Sequence, residues 1–222
     1  MGDIKAIDVA KWFIKRQYDS PRDTFDGNMK LQKLLYFAQL IHAADYNKLL
    51  FDDEMRAFEN GTVVNNVRLD YKNNQNYLIE QAEKFRDFNN SEVNSTLEMT
   101  LEIFGDMTAT ELSDLNHEFD SWKIPYYSSI TNQTNVYDKE KSIVRPFDEV
   151  FKGDLNNVKQ MLGSYRENED SMAVEVVNGV TFYYNANEIE FNDDILSELK
   201  DLDCTDEAYT VTIDQDQGLI IS

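Results

Sequence analysis

The segment Asn28–Tyr46 constrains the fold of this chain more than any other. Leu31, Leu34, Leu35, Ala38 and Ile41 recur at spacings of three and four, the pattern of a helix with one apolar stripe. Asn28 stands where a capping residue belongs, which predicts a helix from Met29 to about Tyr46. A short apolar piece, Leu49–Phe51, and the acidic run Asp52–Glu54 follow, and Asn60-Gly61 marks a turn.

Further helices are predicted on both sides of this segment. Ile7, Ala10, Phe13, Ile14 and Tyr18 give a helical face to Ile4–Tyr18. Pro21 and Gly27 make Asp19–Gly27 a loop. Val63–Tyr71, Tyr77–Phe88 and Val93–Phe104 are helical candidates, and Gly105 is well placed for a positive φ after the last of them. Thr108-Ala109-Thr110-Glu111 is a capping box that opens a helix over Ala109–Phe119, with Leu112 and Leu115 inward. Pro125 argues against continuation beyond Ser121-Trp122. Asn132–Asn135 is loop-like, and Pro146–Gly163 is again helical in pattern.

The pattern then changes. Met172–Val177 and Val180–Tyr184 are rich in β-branched and aromatic residues, and Asn178-Gly179 between them is a strong hairpin signal. Asn192 is placed to cap a short helix over Asp193–Asp201, and Tyr209–Ile213 with Leu219–Ile221 read as another strand pair. The fold class is therefore α+β: a mainly helical domain over residues 1–150, then a helix and a small acidic β-rich unit over residues 151–222.

Charge follows the same division. The chain carries 42 acidic and 21 basic residues, a net charge of −21. From Glu167 onward there are about 15 acidic residues against Lys200 alone. So acidic a surface repels phosphate backbones, disfavours nucleic acid and favours a basic protein partner. The acidic unit fits a highly soluble appendage as well as a clamp for a basic surface. No apolar run is long enough to span a membrane, and the N-terminus has neither an export-signal core nor, with Ala6, a myristoylation motif. The expected location is cytoplasmic.

Candidate chemistry is sparse. The two histidines, His42 and His117, are far apart, and His117-Glu118 lacks the second histidine of a zinc-protease helix, with Ser121 in its place. Cys204 sits among Asp201, Asp203, Asp206 and Glu207, which suppress a thiolate. The sequence contains no phosphate-binding glycine loop and no nucleophile elbow. No cofactor, metal or catalytic residue is expected, and a binding protein is favoured over an enzyme. Lys30, Gln32 and Lys33 flank the apolar stripe, either as solvent face or, with Tyr36, as a surface for a partner. Trp122 fits a core position as well as an interface anchor.

The order of these features resembles the Panacea domain, the SocA-like antitoxin domain often found in prophages. An opening helix, VAKWFIKR, precedes KLQKLLYFAQLIHAADYNKLLF, where Lys30, Leu31, Gln32, Lys33, Leu34, Leu35, Tyr36, Gln39, His42, Leu50 and Phe51 match the family pattern. Ile41 stands where the family usually has Trp. Phe58–Val63 occupies the aromatic and Gly-Pro-Val turn, with Thr62 for Pro, a change expected to loosen the turn. In Thr108–Trp122, Glu111, Leu112, Leu115, His117, Glu118 and Trp122 match.

The resemblance covers about the first 150 residues, the size of an ordinary domain. It implies an antitoxin that neutralises a cognate toxin by direct contact, in some relatives by delivering it to a cellular protease. The alternative it leaves is a phage-associated adaptor or inhibitor acting on a host protein. On this reading Lys30, Gln32, Lys33, Tyr36, His117, Glu118 and Trp122 shape the partner-binding surface.

Overall fold

A computed structural model describes residues 4–130, 137–145, 147–202, 205–206, 208–214 and 218–221. The chain divides into two compact units, Met1–Lys159 and Gln160–Ser222. The first is a helical domain and the second is strand-rich, the α+β arrangement expected from the sequence. Among the described residues no helix is long and apolar enough to cross a membrane. Asn132–Asn135, Pro146 and Cys204 lie outside the described residues.

The first unit is organised around α2, Phe25–Tyr46. It starts four residues before the predicted Met29, and its cap is Thr24, whose hydroxyl accepts from the Gly27 N–H at 3.0 Å. Gly27 looked like a loop marker but lies inside the helix. A Cβ there would come within 2.4 Å of the Asp19 and Pro21 carbonyl oxygens, so glycine lets the preceding loop lie on the helix. The predicted single stripe is also too narrow. Leu31 through Ala44 are all buried, because α1 (Ala6–Lys15), α3 (Asn65–Asn73), α5 (Ser91–Phe104), α6 (Ala109–His117) and a strand pack around the helix. A helix covered on all sides is a core element, whatever its polar content.

The strand belongs to a hairpin that the sequence analysis missed. β1 (Met55–Phe58) and β2 (Gly61–Val64) pair antiparallel across Glu59-Asn60, with Met55 opposite Val64. A short strand, β3 (Ile143–Val144), joins the other edge of β1. β2 is buried along its whole length, so it lacks the alternation that identifies a half-exposed strand. The helix predicted from Val63 therefore begins only at Asn65.

α4 (Gln75–Glu83) and α5 follow, and α6 opens with the predicted capping box, Glu111 Oε2 accepting from the Thr108 N–H at 2.7 Å. Gly105 has φ −61° and stays right-handed. Its value is space, since a Cβ would stand 2.8 Å from the Tyr18 ring. Pro125 does not stop the chain either. It lies inside α7, Asp120–Ser129. Asp154, in the first half of α8 (Glu149–Ser171), caps α7 by accepting from the Asp120 and Ser121 N–H groups at 3.2 and 2.7 Å. A cap more than thirty residues away leaves no local sequence trace.

The second unit holds a sheet in the order β4-β5-β6-β7. β4 (Met172–Val177) and β5 (Val180–Asn185) form the predicted hairpin, with Asn178 and Gly179 at φ 54° and 87°. Asn192 caps α9 (Asp193–Lys200), accepting from the Asp194 and Ile195 N–H groups. α9 serves as the crossover that brings β6 (Ala208–Asp214) parallel to β5, and β7 (Gly218–Ile221) closes the sheet. The two predicted strand pairs are thus one sheet. Phe182, Tyr184, Val211 and Leu199 of α9 are buried in its core.

Candidate partner-binding site

The polar residues of α2 were expected to face outward. Gln32, Lys33 and Tyr36 instead have 1%, 0% and 0% exposure, which corrects that expectation. Each is held by a hydrogen bond that pins a neighbouring element. Gln32 Oε1 accepts from the Val64 N–H of β2 at 2.8 Å. Lys33 Nζ donates to the Thr62 carbonyl at 3.1 Å. The Tyr36 hydroxyl pairs with Ser121 Oγ at 2.7 Å, at the start of α7. Burial raises the Tyr36 phenol well above its ordinary range, so it stays protonated. Lys30 is partly buried, and its ammonium donates to the Gly105 carbonyl at 2.7 Å.

Two further polar residues on the same helix act alike. Gln39 Oε1 accepts from the Leu50 and Phe51 N–H groups at 2.9 and 3.2 Å, while its Nε2 donates to the Phe51 carbonyl at 2.9 Å. His42 Nδ1 lies 2.8 Å from Thr96 Oγ1. The Thr96 hydroxyl donates its one hydrogen to the Glu92 carbonyl, so His42 Nδ1 carries the proton and donates to Thr96. Burial, reinforced by Lys48, pushes the His42 pKa down to about 4, which keeps the ring neutral at physiological pH.

The hairpin turn is fixed from both sides. Thr62 replaces the family proline and was expected to loosen it. The turn is instead held by the N–H that a proline would lack, which donates to Asn116 Oδ1. Ser113 Oγ donates to the Asn60 carbonyl at 3.1 Å, and Trp122 Nε1 donates to the Phe58 carbonyl at 2.8 Å. Gly61 has φ 95°, and a Cβ on it would stand 2.3 Å from Asn116 Oδ1 and 2.5 Å from Lys33 Nζ. The hairpin, α2, α6 and α7 are therefore locked together by side chains from every predicted motif.

His117, Glu118 and Trp122 form the outer part of this arrangement. The Trp122 side chain is buried, with the His117 ring against it at a centroid distance of 4.0 Å and Tyr126 stacked on it at 4.8 Å. Burial and the nearby Lys33 lower the His117 pKa, so its neutral form is favoured. Glu118, at the end of α6, is exposed and pairs with Lys123 of α7 at 3.3 Å, and on α7 Tyr127 and Ile124 are 66% and 48% exposed. Exposed large apolar side chains beside a rigid aromatic stack can anchor another protein, a feature that sequence periodicity did not single out.

A cavity of about 540 Å³ opens beside the hairpin, lined among others by Phe25, Phe58, Arg68, Tyr71 and Gln75. Lys33 forms part of its wall. Among the described residues no group of three or more His, Cys, Asp or Glu could hold a metal ion.

Residues 31–123 match the family described as antitoxin SocA-like, Panacea domain. Over that span the chain matches a Panacea domain. The matched span runs from α2 to the start of α7 and contains the locking side chains Gln32, Lys33, Tyr36, Gln39, His42, Asn116 and Trp122. No curated protein and no solved structure matches the chain. The Panacea signature here is in large part a set of internal hydrogen bonds that fix the domain's shape.

Proposed function

We propose that this protein is a cytoplasmic antitoxin that neutralises a cognate toxin by direct protein contact, without catalysis. The Panacea domain carries the reading. The geometry supports it. Lys33, Tyr36 and His42 of the signature are committed to internal contacts, and the outer face of α7 offers Tyr127 and Ile124 to a partner. The net charge of −21 favours a basic toxin surface. Delivery of the bound toxin to a cellular protease is compatible with the same contact.

Co-expression with the neighbouring gene product tests this. That product alone should arrest growth, and this protein should restore growth and co-purify with it. The affinity should fall as salt rises through physiological strength, because the attraction is partly between exposed charges. A neighbouring product that is harmless alone, or that does not associate, sinks the antitoxin reading. Recovery of a host protein in its place would favour the adaptor or inhibitor alternative.

A further inference from the structure

The sheet of the second unit has two unlike faces. Phe182, Tyr184 and Val211 point to the core that α9 covers. The register puts Val174 beside Tyr183, Val176 beside Thr181, Tyr183 beside Thr210 and Thr212 beside Ile220 on the other face. Val174, Val176 and Tyr183 are 51%, 65% and 41% exposed, and Met172 at the end of β4 is 49% exposed. From Met172 to Thr212, none of the described positions on this face is charged.

That absence is informative in this unit. The carboxylates of Glu188, Glu190, Asp193, Asp194, Glu198 and Asp201 are exposed on turns and on α9, not on the open face. An exposed sheet face in a soluble unit ordinarily carries polar or charged side chains, and charged residues on open strands prevent unwanted association. Four strands about 4.8 Å apart and about six residues long give a face of roughly 400 Å². Its exposed apolar residues lie on β4 and β5 and threonines follow on β6, and the whole face is about half of one partner's share of a standard interface.

We propose that this face, apolar on β4 and β5, is a docking surface for a basic protein partner, one that sets an aliphatic patch on Val174, Val176 and Tyr183 and surrounds it with Lys or Arg. The inference rests on the antitoxin reading for the identity of that partner as a toxin. Charge selects the occupant. A second copy would bring two strongly acidic units together, whereas a basic partner gains from the same field. The apolar face supplies the desolvated centre, and the carboxylates around the unit supply encounter rate and selectivity.

The test uses the full-length chain and two probes. The first is a synthetic strand peptide of alternating Leu and Lys, compared with Ser/Lys and Leu/Glu versions and followed by backbone NMR. The Leu/Lys peptide should bind saturably, at least about tenfold more tightly than either control, with shifts centred on Val174, Val176 and Tyr183. The variant V174S/V176S should lose about tenfold in affinity while keeping its NMR fold. The second probe is the neighbouring gene product, whose binding should fall by a similar factor in the same variant. Unchanged binding of both probes by V174S/V176S overturns the docking surface but leaves the antitoxin reading standing. Failure of the wild-type chain to bind the neighbouring product, with the peptide result intact, removes the antitoxin reading alone. Equal binding of the Leu/Glu peptide, or a wild-type dimer in sedimentation that the variant dissolves, also overturns the choice of a basic partner.

Discussion

Gln39→Leu is expected to destabilise the first unit by about 4 kcal/mol. Gln39 satisfies three backbone groups, the Leu50 and Phe51 N–H groups and the Phe51 carbonyl, and all of these contacts are buried. Leucine fills nearly the same volume, so little packing is lost and the effect isolates the polar contacts. Each backbone group left unpaired away from water costs on the order of 1–3 kcal/mol, with partial relief where the loop shifts. Against a typical stability of about 5–15 kcal/mol this is a large share. Thermal and urea unfolding should show a midpoint lower by roughly 10 °C. A loss below about 1 kcal/mol would mean that water or loop movement satisfies those groups equally well.

The second large effect is a pH dependence that follows Lys33. Burial lowers its pKa from 10.5 to about 7, with no carboxylate to offset it. The folded state therefore holds fewer protons than the unfolded state between pH 7 and pH 10.5, and stability contributed by this site rises with pH across that window. Above the window both states are neutral and the penalty vanishes. Below it both are protonated, and the penalty levels off at about 4–5 kcal/mol. Lys33→Met keeps most of the stem and removes the titration. The wild type should gain on the variant by about 1.4 kcal/mol per pH unit between roughly pH 7 and pH 10 in paired denaturant titrations. A difference that stays flat would show that the ammonium keeps its charge in the folded state through water or an altered hairpin.

The parts of the fold that are local in the chain were legible. Thr108 and Glu111 cap α6 within one turn, Asn178-Gly179 reverses the chain between β4 and β5, and Asn192 caps α9. Features set by distant residues were not. Asp154 starts α7, so Pro125 and Trp122 looked like an end when they lie inside a helix. Gly27 and Gly105 serve close approach, which a glycine in a sequence cannot distinguish from a turn. β2 was missed because burial on both faces removes alternation, and the four residues of β1 are too short a run to show it.

The candidate site shows the same limit. Lysine and glutamine beside an apolar stripe ordinarily mark a helix's wet side. Here five polar side chains of α2 turn inward, and each satisfies a group on another element: Gln32 on β2, Lys33 on the hairpin, Tyr36 on α7, Gln39 on the Leu50–Phe51 segment and His42 on α5. The signature residues hold those elements in register, and the exposed apolar side chains lie elsewhere, among them Tyr127 and Ile124 on α7 and Phe25 beside the cavity.

Native-state hydrogen exchange tests this account most directly. The amides of Leu50, Phe51, Thr62 and Val64 donate to the side chains of Gln39, Asn116 and Gln32. All four should exchange only through opening of the whole first unit, with protection close to that of the centre of α2. Protection near that of exposed loop amides at Thr62 and Val64 would contradict the account, because the hairpin would then open independently of the helix said to lock it.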